Sequence, residues 1–345
     1  LAGGPAPAAE GFRPPDISTF VFHLTSVLWH VAAAVLWLLL LARLGAPRAV
    51  QFAVAAIYVV HPLHNAAVAY ISGRADPMAA TFVYAGLLCA IHAARRPPAP
   101  AALAGVALFG VGGLLSKEAA AMYPFLLALV VPVALATAPR AGEAQTAVRP
   151  SAWLPAALGV ALVAIYAALR LTVLSFGDGG GATAPAPFGT RLAQTGMAFT
   201  EYLRMLVWPV GLHMEQTLAG TPAWTAAVGY AALLALIALA VWAARRQRPR
   251  VTFGIAWFLI NWLPISGLFP LNAPLAEHWM YIPMAGFWLA VADLAWWAAQ
   301  RQPAAGRALA PLAAAFIIGL VGAAVVRNAD WDSNETLFRD TIAKN

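Results

Sequence analysis

Four short polar blocks mark this chain: His61-Pro62-Leu63-His64, Gly73-Arg74-Ala75-Asp76, Ser116-Lys117-Glu118 and Glu277-His278. Each borders a long apolar stretch, where ionisable side chains are costly and point to function. Arg170, Glu201 and Arg204 occupy similar positions. The chemistry such groups offer together is group transfer from a phosphate. The cations Arg74, Lys117, Arg170 and Arg204, with His278, suit a phosphate-bearing donor and its stabilisation as a leaving group. The carboxylates Asp76, Glu118 and Glu277 suit sugar or acceptor contacts and the uptake of a proton from an attacking hydroxyl.

Most of these residues also have a structural alternative. Asp76 before Pro77 fits a helix cap with proline at the first helical position, and Arg74 pairs with it. Lys117 is one of only two lysines. Its compact ammonium suits a phosphate oxygen, and it equally suits snorkelling to the outer interface. Glu277 is favourable at a helix N-terminus on charge alone. His61 and His64, three apart, share a helical face as metal ligands do, but no third ligand stands at a readable spacing. Two hydrogen-bonded histidines at a helix end are the simpler reading, so no metal site is assigned and a divalent metal is left open. His23 and His30 read as buried and satisfied or facing a cavity, Asp293 as a helix-interface hydrogen bond, and Cys89 as a small buried hydrophobe.

The elements that must position these groups follow from composition. Of 345 residues, 62% are hydrophobic and 10% charged, against about 25% charged in a soluble domain. The solvent is therefore a bilayer. The formal charge of +7 would admit nucleic acid as a partner. The basic residues nevertheless sit in pairs between apolar segments, as in the loops of a polytopic membrane protein, and nucleic acid is excluded.

Apolar stretches near the roughly 20 residues needed to span fall at Thr19–Ala42, Ala49–Tyr70, Pro77–Ala94, Ala101–Leu115 and Ala119–Ala138. They continue at Ala152–Leu174, Ala223–Ala244, Val251–Phe269, Trp279–Ala299 and Arg307–Val326. The expected fold is an all-α bundle of about ten spans, with the second leaving helix near Pro62. Arginine collects in alternate loops: Arg43 and Arg48, Arg95 and Arg96, Arg140 and Arg149, Arg245 to Arg250, Arg301 and Arg307. This side is expected to be cytoplasmic. The sidedness closes only if Arg191–His213 lies along the outer surface as an interfacial helix.

Gly177–Gly189 reads as a flexible outer loop. Residues 1–326 are expected to form one membrane-embedded domain. Residues 327–345 (RNADWDSNETLFRDTIAKN) change character and open a soluble outer domain, with Ser333 or Asn334 capping a helix. The chain opens mid-loop and stops within a helix, so it is expected to be part of a longer protein.

HPLHNAAVAYISGRAD, SKE, EYLRMLVWPVGL and AEHWMYIPMAGF occur in that order. The series resembles the membrane portion of the transmembrane O-mannosyltransferases with tetratricopeptide repeats and their bacterial relatives, in the C-type glycosyltransferase superfamily. The resemblance runs from about Phe22 to the end, and GRAD and SKE are its more specific parts. It implies transfer of a sugar from a polyprenyl-phosphate carrier to a hydroxyl acceptor, possibly protein Ser or Thr, on the outer membrane face. The partners implied are membrane lipid, the lipid-linked sugar, a protein acceptor and a larger membrane complex. The expected location is a bacterial inner membrane, with site and tail facing the periplasm. Arg74 and Asp76 match the GRAD block, Lys117 and Glu118 match SKE, and Glu277 matches the acid of a Glu-Arg pair whose second member is here His278. The family draws its catalytic base from an acidic pair in the loop after its first span. In this chain only Glu10 and Asp16 precede the first span, in no matching motif. The second reading is accordingly an inactive relative that serves as a membrane scaffold. A transporter ranks third, since neither mid-membrane ionisable residues nor internal repeats are evident.

Overall fold

The computed structural model describes residues 19–96, 99–137, 150–173, 186–271 and 273–344. All regular structure among them is helical. In chain order the helices are α1 (Phe20–Arg43), α2 (Arg48–Val60), α3 (Asn65–Val68), α4 (Ala75–Arg95), α5 (Pro100–Ser116), α6 (Tyr123–Ala136) and α7 (Leu154–Thr172). They continue as α8 (Phe188–Val207), α9 (Trp224–Arg245), α10 (Pro249–Trp262), α11 (Pro283–Arg301), α12 (Pro303–Asp330) and α13 (Asn334–Lys344). Short 3-10 turns form Pro62–His64, Ile71–Arg74, Glu118–Met122 and Glu277–Met280 between them.

Each of the ten expected apolar stretches contains a helix. Among the described residues six helical segments, built on α1, α4, α6, α7, α9 and α12, are long and apolar enough to cross a membrane. Two of the others end beside a proline. Pro62 and Pro264 stand just past the ends of α2 and α10, which run only 13 and 14 residues. His61, immediately before Pro62, is already extended at φ −70° and ψ 127°, as a residue ahead of proline tends to be. The second stretch therefore leaves helix where expected. α5 has 17 residues, and α11, although 19 residues long, is not among the six.

Contacts sort the helix ends into two sets. At one end, the Arg95 guanidinium donates to the Arg43 and Ala134 carbonyls, joining the C-termini of α4, α1 and α6. Arg250 at the start of α10 pairs with Asp293 of α11 at 2.6 Å and donates to the Gly45 carbonyl between α1 and α2. Asp293, expected as a helix-interface group, serves as the carboxylate of that pair. Gly45 (φ +67°) closes α1 in a left-handed cap, with Ala46 N–H donating to Leu41 and Gly45 N–H to Ala42. The polar blocks HPLH, GRAD, SKE and Glu277-His278 lie at the other end.

Between the ends the core is aromatic. Trp37 of α1 packs on Tyr84 of α4 and Trp257 of α10 at centroid separations of 5.4 and 5.1 Å, all three fully buried. α10 and α11 cross closely through Gly254 and Gly286: a Cβ on either would stand 2.5 Å from the other's carbonyl oxygen. That crossing fixes the height of α11, and with it the turn that carries Glu277 and His278.

The stretch expected to be interfacial forms α8, which packs on α9. The Thr200 hydroxyl donates to the Thr225 carbonyl and the Tyr230 hydroxyl to the Leu192 carbonyl. α12 runs unbroken past residue 326, and α13 folds back on the bundle, burying Leu337 while Lys344 donates to the Leu212 carbonyl. Ser333 and Thr336 cap α13 reciprocally, each side-chain oxygen accepting the other's backbone N–H at 3.1 Å. Most of the loop Gly177–Gly189, together with Glu10, Asp16, Arg140 and Arg149, lies outside the described residues. Gly286→Val should separate α10 from α11 and cost about 1–3 kcal/mol. Unfolding in detergent should then show a lower melting temperature, while Gly319→Val, where a Cβ meets nothing within 4 Å, should not.

Candidate functional site

The GRAD and SKE blocks meet although they stand 41 residues apart. Asp76 sits in the first turn of α4 and is 4% exposed. It makes no cap hydrogen bond. Instead both carboxylate oxygens accept from Lys117 Nζ at 2.7 Å, across the junction of α4 and α5. Lys117 is extended backbone between α5 and the following 3-10 turn, which aims its side chain back at α4. Glu118, next in sequence, turns to α7 and accepts from Arg170 at 2.9 Å. Lys117 and Glu118 thus serve neighbouring helices rather than each other.

Arg74 does not pair with Asp76. Among the described residues it has no ion pair, and its guanidinium lies 5.2 Å from the centroid of the Phe22 ring, a cation–π arrangement. It lines an open pocket of about 570 Å³ together with Ser72, Met78, Phe82, Leu115 and Ser116. One wall therefore comes from the GRAD block and the other from the end of α5 at SKE. A volume of this size falls in the range of small-molecule sites.

Arg204 is held by Glu201 at 2.6 Å on α8 and also donates to the Val210 carbonyl. Of the four cations expected to gather on a phosphate, Lys117, Arg170 and Arg204 each have a carboxylate of their own, and Arg74 alone lines the pocket.

Glu277 belongs to a second cluster. It is 2% exposed and accepts from Gln216 Nε2 at 3.0 Å. Arg327 of α12 stands 3.6 Å from its other oxygen, an ion pair too long for a hydrogen bond. Arg327 is itself buried and is held by Asp330 and Asp340 at 2.9 and 3.0 Å. Burial pushes the Glu277 carboxyl up to about 7, against the opposing pull of Arg327 and Gln216. His278, beside it, is held down to about 4 by burial and by the positive charge of Lys117. That influence links the two clusters: His278 lies on the Lys117 side, Glu277 on the α12–α13 side.

Beneath the HPLH turn lies a buried aromatic cluster. His30 Nε2 faces the Val59 carbonyl at 3.1 Å and so donates, leaving Nδ1 to accept from the Tyr281 hydroxyl at 2.6 Å. His61 accepts from Leu63 N–H and donates to the Leu206 carbonyl. His64 packs edgewise on Tyr58 and closely on Tyr281, at 4.6 and 4.3 Å. His61 and His64 therefore anchor α2, α8 and α11 to one another. Among the described residues no three His, Cys, Asp or Glu side chains are grouped as a metal site.

Sequence reasoning missed Gln216, Arg327 and Phe22. No motif spacing marks Gln216. Arg327 is visible only as an outer arginine at a helix end, and Phe22 as one more apolar residue. No family model, curated protein or solved structure matches the chain.

Lys117→Met should leave Asp76 buried without its counterion, at a cost of about 3–5 kcal/mol. Adding Asp76→Asn should restore most of that loss, as read by unfolding of the three variants in detergent. The raised Glu277 acid means that the folded protein holds this proton up to about pH 7, whereas the unfolded chain releases it near 4.5. Its contribution is present below the lower value and lost as pH rises through the higher. The lowered His278 acts oppositely, its contribution being lost as pH falls from 6.5 towards 4. Comparison with Glu277→Gln isolates the first effect. The variant should gain stability relative to wild type as pH rises through this window; parallel melting curves would remove Glu277 as the titrating group.

Proposed function

We propose that this chain is the membrane portion of a C-type glycosyltransferase, which moves a sugar from a polyprenyl-phosphate carrier to a hydroxyl acceptor at the end of the bundle bearing the GRAD and SKE blocks. The observation that carries the reading is Arg74, a cation without a carboxylate partner among the described residues, lining a pocket walled by both blocks. In this reading all ten apolar helices cross the membrane and α8 lies along the outer surface. α13 leads into an outer repeat domain, and the membrane is a bacterial inner membrane with the site facing the periplasm.

Arg74 holds the donor phosphate and stabilises it as it leaves. The acceptor oxygen attacks the anomeric carbon, the bond from that carbon to the phosphate oxygen breaks, and polyprenyl phosphate departs with the electron pair. The acceptor proton passes to a base. Asp76 keeps the α4–α5 junction closed through Lys117, and Glu118 does the same for α7 through Arg170. These roles position the pocket, while His278 lies on the Lys117 side and Glu277 faces Gln216 and Arg327.

A specific observation favours the second reading, a membrane scaffold. Asp76 and Glu118 are each held by a cation and Glu277 faces Gln216 and Arg327, so none of the three lines the Arg74 pocket as an acceptor's base would. Labelled polyprenyl-phosphate sugars supplied to membranes containing the chain or Arg74→Ala separate the cases. The transferase reading expects labelled product from wild type and a loss of about 10²-fold or more in the variant. Equal product from both removes Arg74 from the site, and no product from either favours the scaffold.

A further inference from the structure

The opposite end of the bundle holds a group of donors that this reading does not use. Two guanidinium groups lie on one indole: Arg248, from the α9–α10 turn, and Arg301, at the end of α11, stand 4.7 and 4.4 Å from the ring centroid of Trp297. Trp242 of α9 meets the same ring edge-on at 5.6 Å. Trp297 Nε1 is buried and has no hydrogen-bond partner among the described residues. Arg248, Arg301 and the neighbouring Arg245 and Arg246 have no carboxylate partner among the described residues, and Asp293 is already taken by Arg250. Like charges stacked on one ring repel, and an acceptor that bridges them relieves that repulsion.

The backbone presents Arg248 at some strain. α9 ends in a left-handed cap in which Arg248 N–H donates to Ala243 and Gln247 N–H to Ala244. The left-handed residue is Gln247, at φ 55°, the one described non-glycine with positive φ. Glycine is the usual occupant of that position, and strained backbone of this kind gathers at ligand sites.

An apolar groove lies immediately deeper between the same three helices. It encloses about 50 Å³, is almost wholly apolar, and is lined by Leu239 of α9, Ile255 and Phe258 of α10, and Leu294 of α11. Leu294 precedes Trp297 by three residues, roughly 4.5 Å along the helix. Cations and indoles at the rim, with a small hydrocarbon slot beneath, suit an anionic lipid, its phosphate on the donors and a short stretch of acyl chain against the groove.

We infer that Arg248, Arg301 and Trp297 form a binding site for the phosphate of an anionic membrane lipid at the arginine-rich end of α9, α10 and α11. A free phosphate shares the headgroup chemistry but leaves the groove unused.

Native mass spectrometry of the detergent-solubilised chain, with phosphatidylglycerol or phosphatidylcholine added, tests this. The site predicts preferential retention of phosphatidylglycerol by wild type and retention weaker by roughly tenfold or more in Arg248→Gln/Arg301→Gln. Arg246→Gln, which changes net charge at the same end without touching Trp297, should retain lipid as wild type does. Equal loss in Arg246→Gln overturns the site in favour of diffuse charge attraction, and undiminished retention in the double variant overturns it outright. If the double variant does not fold, Arg301→Gln alone carries the same comparison. Leu294→Trp fills the groove and should weaken lipid retention. Inorganic phosphate that displaces phosphatidylglycerol at equal concentration would show that the headgroup alone is recognised and overturn the lipid assignment.

Discussion

The pairing of Asp76 with Lys117 is the interaction on which the polar end of this bundle depends. A carboxylate at 4% exposure is tolerated only with a counterion and complete hydrogen bonding. Lys117 provides both, from a point where the chain has already left α5. The pair clamps the start of α4 to the end of α5, and Glu118, one residue on, reaches α7 through Arg170. One tripeptide thereby joins three helices, and the pocket wall at Ser116 stands where it does because Lys117 is held.

The two ends of the bundle solve the problem of charge differently. At the end with the GRAD and SKE blocks, most cations meet carboxylates: Lys117 with Asp76, Arg170 with Glu118, Arg204 with Glu201, and Arg327 with Asp330 and Asp340. Arg191, over the Phe188 ring at 5.9 Å, and Arg74 have no such carboxylate among the described residues, and Arg74 lines the pocket. At the other end arginines outnumber acids among the described residues, and two of them donate to backbone carbonyls at helix C-termini, where the helix dipole favours positive charge. Arg95 and Arg250 serve as fasteners in this way, whereas Arg248 and Arg301 rest on an indole. Residual positive charge is confined to particular side chains, and those are where an anion has something to bind.

Much of the architecture was legible because the bilayer imposes a length. The apolar stretches announced the helices, and Pro62 announced the break after α2. Helix-spanning length proved the weaker criterion. α2 and α10 stop early because a proline cannot donate into the preceding turn, and at α2 it also holds His61 extended. Local pattern also located the cap of α13 at Ser333, where serine and threonine three apart satisfy each other's N–H groups.

Partner choice was not legible in the same way. Asp76 before Pro77 reads as a cap and Arg74 as its mate, because neighbours in sequence are the only partners a sequence displays. In the fold Asp76 takes a lysine 41 residues away, which leaves Arg74 to a phenylalanine ring, while Glu277 finds Gln216 and Arg327. Residue types and apolar periodicity alone determined that helices form, where they break, and which charges collect at helix ends. Only the tertiary structure decided which of those charges cancel, because an ion pair in a low-dielectric interior is settled by distances of a few ångströms between elements far apart along the chain.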